Sequence, residues 1–216
     1  IVIPFSDQGN TAPFYGTGVA VGSEHEFVRY FLVGDGSIDS TESLALQLRD
    51  LPRGTLGGVV KDASGAPAAG VLVAALSGSL DDASGHVHVV NEARTKADGT
   101  YAMTIAPGTY TLIAHPASSD DGRARSSEVT ATVGDGANAT VAALTIGARG
   151  HVHASTEFRD AEGGALSTFP SKLTLVPGDD AQKASDVLAE FSVNGATSYA
   201  VSNNGVFDVD VPPGHY

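Results

Sequence analysis

The stretch from Ala97 to Tyr110, Ala-Asp-Gly-Thr-Tyr-Ala-Met-Thr-Ile-Ala-Pro-Gly-Thr-Tyr, leaves a chain few choices of fold. Tyr101, Met103 and Ile105 alternate with Ala102 and Thr104. A period of two places the larger apolar side chains on one face of an extended strand. Asp98-Gly99 ahead of it forms a turn that tolerates left-handed backbone, and Pro107-Gly108 behind it reads as a type II turn, with proline presetting φ and glycine accepting a positive one. Tyr110, Leu112 and Ala114 resume the alternation, so the two strands read as an antiparallel hairpin.

The stretch recurs. Asp98-Gly99 becomes Asn204-Gly205 at an offset of 106 (98 to 204). At that offset Tyr101, Met103 and Ile105 become Phe207, Val209 and Val211, Pro107-Gly108 becomes Pro213-Gly214, and Tyr110 becomes Tyr216. Upstream, Val60-Lys61-Asp62-Ala63-Ser64-Gly65 corresponds to Phe158-Arg159-Asp160-Ala161-Glu162-Gly163 at an offset of 98 (62 to 160). The difference places an eight-residue insertion between the two landmarks. Two modules are expected, 54–147 and 148–216, the second reaching only the first residue of its return strand. An inner strand cut there exposes unpaired backbone donors and acceptors. The expectation is a fragment of a longer chain, or a sandwich whose missing strands come from another chain; a start at Ile1 rather than Met likewise places the natural start upstream.

Residues 1–53 read as the tail of a preceding β-rich domain. Gly16–Gly22 and Glu26–Val33 are strand-like, the second dense in β-branched and aromatic residues. Asp39 stands three residues before Glu42, a capping-box spacing, and Leu44, Leu48 and Leu51 follow at helical intervals until Pro52, so a short helix is expected near 40–51. Within 54–147, short apolar runs between Gly, Pro and Asp turns give a seven-strand sandwich. With 26 Gly and 10 Pro in 216 residues, the chain as a whole reads as all-β.

Charge narrows the partners. Twelve Lys and Arg against 25 Asp and Glu give a net charge of −13 without a basic cluster, which repels a phosphate backbone and excludes nucleic acid. No apolar run approaches a membrane span. The absence of Cys rules out disulfides, thiolate metal sites and cysteine nucleophiles, and the absence of Trp weighs against a sugar-stacking platform.

Gly57-Gly58-Val59-Val60-Lys61-Asp62-Ala63-Ser64-Gly65-Ala66-Pro67-Ala68-Ala69-Gly70-Val71, with Thr95-Lys96-Ala97-Asp98-Gly99-Thr100-Tyr101 and Pro107-Gly108-Thr109-Tyr110, resembles the carboxypeptidase regulatory-like family. The resemblance covers about 54–147 and implies a transthyretin-like, immunoglobulin-like antiparallel β-sandwich attached to an extracellular, periplasmic or cell-surface bacterial protein. Such modules accompany peptidases, receptors, adhesins and hydrolases, so fold alone does not give an activity. The second copy departs from the pattern at Ala165-Leu166 and Asn204 and reads as a related module. Arg29-Tyr30-Phe31-Leu32-Val33-Gly34-Asp35-Gly36 resembles the lead-in of secreted proteins of the CehA/McbA type, in which β-sandwich modules precede a PHP-type metal-dependent phosphoesterase domain; that resemblance places a catalytic domain beyond Tyr216.

Two Gly-His-Val-His strings carry the main candidates for chemistry. His86 and His88, and His151 and His153, stand at i and i+2 on strands, so each pair offers two imidazoles on one face, with Asp or Glu from a neighbouring strand needed to complete a Zn²⁺ site. Parity argues the other way. Val87 and Val89, and Val152 and Phe158, claim the buried faces and leave all four histidines to solvent. The acidic turns at Asp35, Asp39, Asp81-Asp82, Asp120-Asp121, Asp135 and Asp179-Asp180 offer oxygen ligands suited to Ca²⁺ but lack EF-hand spacing, and read as solvated turns. His25-Glu26 begins like a zincin helix and fails at Arg29. No catalytic residue and no cofactor is expected. Three functions fit: accessory sandwiches that space or present other domains of the same polypeptide, the accessory part of a secreted metal-dependent hydrolase, and an adhesin with a protein or glycan ligand.

Overall fold

The computed structural model describes residues 22, 30–82, 86–118, 121–159, 164, 167–178, 185–188, 190, 196 and 198–216. The chain falls into two units, Ile1–Phe31 and Leu32–Tyr216, and all elements below belong to the second. The strand expected at Gly16–Gly22, except Gly22 itself, and the first half of Glu26–Val33 lie outside the described residues, while Gly22 and Tyr30–Val33 form no strand.

The helix is α1, Ile38–Leu48. Its N-cap is Ser37, whose hydroxyl accepts the Ser40 amide at 3.2 Å, so the expected Asp39 cap is two residues too late. Asp35 in turn accepts the Ser37 amide and hydroxyl at 2.9 and 2.6 Å, contacts that hold its carboxyl down at about 2. Asp39 is thereby released from capping and points at the sandwich. Its Oδ1 accepts the Asn91 side-chain amide at 3.0 Å and the Thr104 backbone amide at 2.7 Å.

The first module holds eight strands in two sheets. β1 (Gly54–Lys61) pairs antiparallel with β4 (Thr100–Ile105), and in parallel with β7 (Asn138–Thr140) and β8 (Leu144–Thr145). The other sheet runs β3 (Val89–Arg94), β2 (Leu72–Leu76), β5 (Gly108–His115), β6 (Val129–Val133), antiparallel throughout. Leu56, Val73, Tyr101, Met103, Ile105 and Leu112 meet between the sheets in one core.

β4 and β5 are therefore not a hairpin. They lie in opposite sheets, and Ala106-Pro107 carries the chain across the sandwich. Alternation could not separate the two cases, because hairpin and crossover both turn every second side chain inward. What distinguishes them is pairing: β4 lies beside β1, whereas β5 lies between β2 and β6 and is buried from Leu112 to His115. Gly108 is not left-handed, so the type II reading also fails. Its glycine serves a different need: a Cβ there would stand 3.0 Å from the Tyr110 hydroxyl. That hydroxyl donates to the Ala106 carbonyl at 2.9 Å and ties the crossover.

Beyond Gly147 the described strands pair two by two, in part as those of the first sandwich do. β9 (Gly150–Ser155) pairs with β14 (Val206–Val211), β12 (Ser171–Leu175) pairs with β13 (Ser198–Ser202), and β10 (Glu157–Phe158) with β11 (Ser167–Thr168). Gly99 and Gly205 are left-handed at φ 75° and 71°, and Tyr216 donates to the Pro212 carbonyl at 2.6 Å as Tyr110 does to Ala106. Asp98 accepts the Thr100 amide at 3.0 Å; Asn204 accepts the Val206 amide at 3.2 Å. The first strands align differently from the sequence reading. Val59 faces Thr100 in one module and Ser155 faces Val206 in the other, an offset of 96 (59 to 155) rather than 98. Phe158 thus falls past the strand and is 52% exposed, not buried as parity on a longer strand implied.

Two outcomes follow. Asn91 is fully buried, and among the described residues its amide donates to Asp39 and the Thr104 carbonyl, so Asp39→Ala strands buried donors and should cost about 2–3 kcal/mol in urea unfolding. The Tyr101 hydroxyl is buried without a partner among the described residues, so Tyr101→Phe should raise stability by about 1 kcal/mol in the same measurement.

Candidate functional site

Extended pairing of β9 with β14 sets His151 opposite Asp210 and His153 opposite Asp208. All four side chains project to the outer face, because Val152 and Val209 take the inner one along with the buried Phe207 and Val211. His151 is held from both sides. Its Nδ1 meets Asp210 Oδ1 at 3.0 Å and its Nε2 meets Asp208 Oδ1, an arrangement in which both nitrogens donate only when the ring is an imidazolium. His153 Nδ1 reaches the same Asp208 oxygen at 3.4 Å.

The ladder runs on toward the first module. Arg149 stands 3.5 Å from Asp210 and 3.5 Å from Asp121, and Asp121 takes the Arg123 guanidinium at 2.6 Å. Charges alternate along Asp208, His151, Asp210, Arg149, Asp121 and Arg123. Backbone bonds accompany them: the Gly147 amide donates to Ala124 at 2.8 Å, and Arg123 bridges Arg149. Gly122, left-handed at φ 70°, lies so near Asp210 that a Cβ would be 2.6 Å from the Asp210 Cβ.

Each shift has a local cause. Hydrogen bonds donated to Asp210, then to Asp208, raise the His151 pKa above the usual imidazole value. Hydrogen bonds from His151, then His153, hold Asp208 below the usual carboxylate range. The Arg123 hydrogen bond lowers Asp121 and is reciprocated by a raised Arg123. Water screens exposed pairs of this kind, so the ladder biases local charge more than it holds the fold.

Sequence reasoning singled out the histidines but missed Asp208, Asp210 and Arg149. The signal was present, since Asp208-Val209-Asp210 alternates like His151-Val152-His153; the strand pairing that joins them was not. His86 and His88 lie in the other module just ahead of β3, exposed, with His88 Nδ1 3.1 Å from the Ser77 hydroxyl. Val87 and Val89, half-buried, pack on Ala74, Leu76 and Ile113, on the face of β2 and β5 turned away from the core between the sheets, not on the inner face that parity implied. Among the described residues no group of three or more His, Asp or Glu side chains is disposed to hold a metal ion. No helix among them is long and apolar enough to cross a membrane.

Residues 55–145 match the carboxypeptidase regulatory-like domain. The match spans β1 to β8, so both four-stranded sheets belong to this domain, while the His–Asp ladder lies outside it in the second module. No curated protein matches the chain. Among solved structures it is similar to the Streptococcal ancillary pilin, with 14% identity and a TM-score of 0.42 over 75% of this chain and 51% of that one. It is similar also to the Bacillus anthracis TIE protein, with 15% identity and 0.32 over 76% and 27%. The full-length major pilin SpaD from Corynebacterium diphtheriae follows, with 18% identity and 0.35 over 58% and 37%. The chain thus spans about half or less of the length of these proteins.

The ladder predicts a pH window. His151, with its pKa raised on folding, contributes fully below the unfolded value of about 6.5 and loses its contribution as pH rises through the folded value. Asp208, with its pKa lowered, contributes above about 4 and fails as pH falls through its folded value. The thermal stability of residues 148–216 should therefore be greatest between about pH 4 and 6.5 and decline toward pH 8. In Asp208→Asn/Asp210→Asn that decline should flatten; a slope unchanged in the double variant would assign it to other groups.

Proposed function

We propose that residues 32–216 serve as a non-catalytic accessory segment of an exported bacterial protein, a stiff pair of β-sandwiches that sets the spacing and presentation of its other domains. The observation that carries this reading is Leu188. It is 6% exposed and packs on Ala74, Leu76 and Ile113, the outer face of β2 and β5 in the carboxypeptidase regulatory-like domain. Leu188, from beyond Gly147, thus joins Leu80, Val87 and Val89 in covering that face. Arg125 bonds Glu190 at 3.2 Å beside it, and Glu190 accepts the Ser185 amide at 2.7 Å, which closes the covering loop.

A spacer needs resistance to bending more than it needs a cleft. Apolar burial under Leu188, the bonded linker at 147–149 and the close approach at Gly122 all oppose a hinge between the modules. The domain's family match supports an attached role, since such modules are built into larger polypeptides.

The chain has no cysteine, so a single pair of spin labels can be placed cleanly at Ala102→Cys and Asn203→Cys, both exposed sites. Pulsed dipolar spectroscopy should give one narrow distance distribution. Leu188→Asp should broaden it. A broad distribution already present in the otherwise unaltered chain would overturn the stiff-spacer reading.

A further inference from the structure

β1 is flanked on both edges, and its neighbours run in opposite senses. β4 lies antiparallel to it, whereas β7 and β8 lie parallel to it along the other edge. The parallel register extends from Thr55 beside Asn138 to Lys61 beside Thr145. β1 and β8 are also the first and last strands of the carboxypeptidase regulatory-like domain. The chain therefore enters that domain at one end of this ladder, at Gly54, and leaves it at the other, past Thr145.

Both ends are secured just outside the paired strands. At the entry the Arg53 amide donates to the Asp135 carboxylate at 3.2 Å, and the Arg53 carbonyl accepts the Gly136 amide at 2.9 Å. At the exit the Ile146 amide donates to the Lys61 carbonyl at 2.9 Å, and the Gly147 amide to the Ala124 carbonyl at 2.8 Å. In between, the Thr55 amide donates to Ala137 at 2.9 Å and the Val141 amide to Gly57 at 2.8 Å. Leu56 and Val60 of β1 share one buried core with Val141, Leu144 and Ile146 of the returning segment.

Direction decides how such a ladder fails. A pull that moves Gly54 away from Ile146 acts along the strands. A strand already spans about 3.3 Å per residue, close to its full reach, so it cannot lengthen to relieve the load and all the rungs are strained together. Sliding by one residue would turn the buried side chains outward. A pull between Gly54 and Ile105, the paired ends of β1 and β4, acts across the strands instead and opens their rungs one after another.

We propose that the parallel ladder of β1 with β7 and β8 is a tension clamp, which holds a load passed along the polypeptide through the first sandwich by bearing it in shear. Such a clamp carries the spacer reading from bending to stretching, and rests on that reading for the domains that load it.

The absence of cysteine lets handles be attached through introduced thiols at exposed sites. Pro52→Cys/Ala148→Cys loads the clamp, and Pro52→Cys/Pro107→Cys opens β1 from β4. In an optical trap at one loading rate, the first pair should rupture at a force at least about twofold above the second, because forced unfolding reports the barrier along the pull and not the equilibrium stability. Equal forces, or a lower force for the first pair, would overturn the proposal. Val141→Pro deletes the rung to Gly57 and should lower the force of the first pair by a larger factor than that of the second; an equal factor in both would also overturn it. Should that variant fail to fold, the two directions of pull in the otherwise unaltered chain still decide. A narrow spin-label distance distribution together with equal rupture forces would remove the clamp and leave the stiff spacer standing.

Discussion

The first sandwich depends on a chain that changes sheets within two residues. The crossover at Ala106-Pro107 leaves β4 in one sheet and starts β5 in the other, and the Tyr110 hydroxyl fastens it to the Ala106 carbonyl. Proline is suited to the position, because it fixes φ and offers no donor to be satisfied where no ladder runs. With β4 and β5 on opposite sides, Tyr101, Met103 and Ile105 face Leu112 and Ala114 across the interior, and the core follows. Pro212 and Tyr216 reproduce the fastening in the second module, where Phe207 and Val211 are buried in the same way.

Around that core, polar groups do specific work at the margins. Asp39 closes the gap between β3 and β4 by bonding a buried amide side chain and an edge backbone donor at once, so α1 acts as a side wall of the first sandwich. Asn91 is tolerated at zero exposure because both of its amide hydrogens and its carbonyl are engaged. The His–Asp ladder stands at the opposite extreme. Its members are exposed, and water screens them, so its consequence is a pH-dependent bias and not a structural hinge pin.

The two modules differ most on the outer face of the first sheet. Thr55, Gly57, Ala102 and Thr104 occupy it in the carboxypeptidase regulatory-like domain; His151, His153, Asp208 and Asp210 hold the corresponding positions in the second module. The inner face keeps its apolar character in both. Divergence has been free where side chains meet solvent and constrained where they meet the opposite sheet, as the energetics of burial require.

Much of this was legible in the chain alone. Alternation over Tyr101–Ile105, the turn at Asp98-Gly99 and their recurrence 106 residues later determined strands, inward faces and a repeated β-sandwich, because those properties arise from local backbone geometry with a period of two. Asp39 was misread because capping spacing is a local pattern, whereas its partners Asn91 and Thr104 are supplied by distant strands. Which sheet β5 joins, which carboxylates meet His151, and what covers Ala74 and Ile113 were decided only by the tertiary structure. Each depends on contacts between residues far apart in sequence, and alternation reports which way a side chain points, not which strand lies beside it.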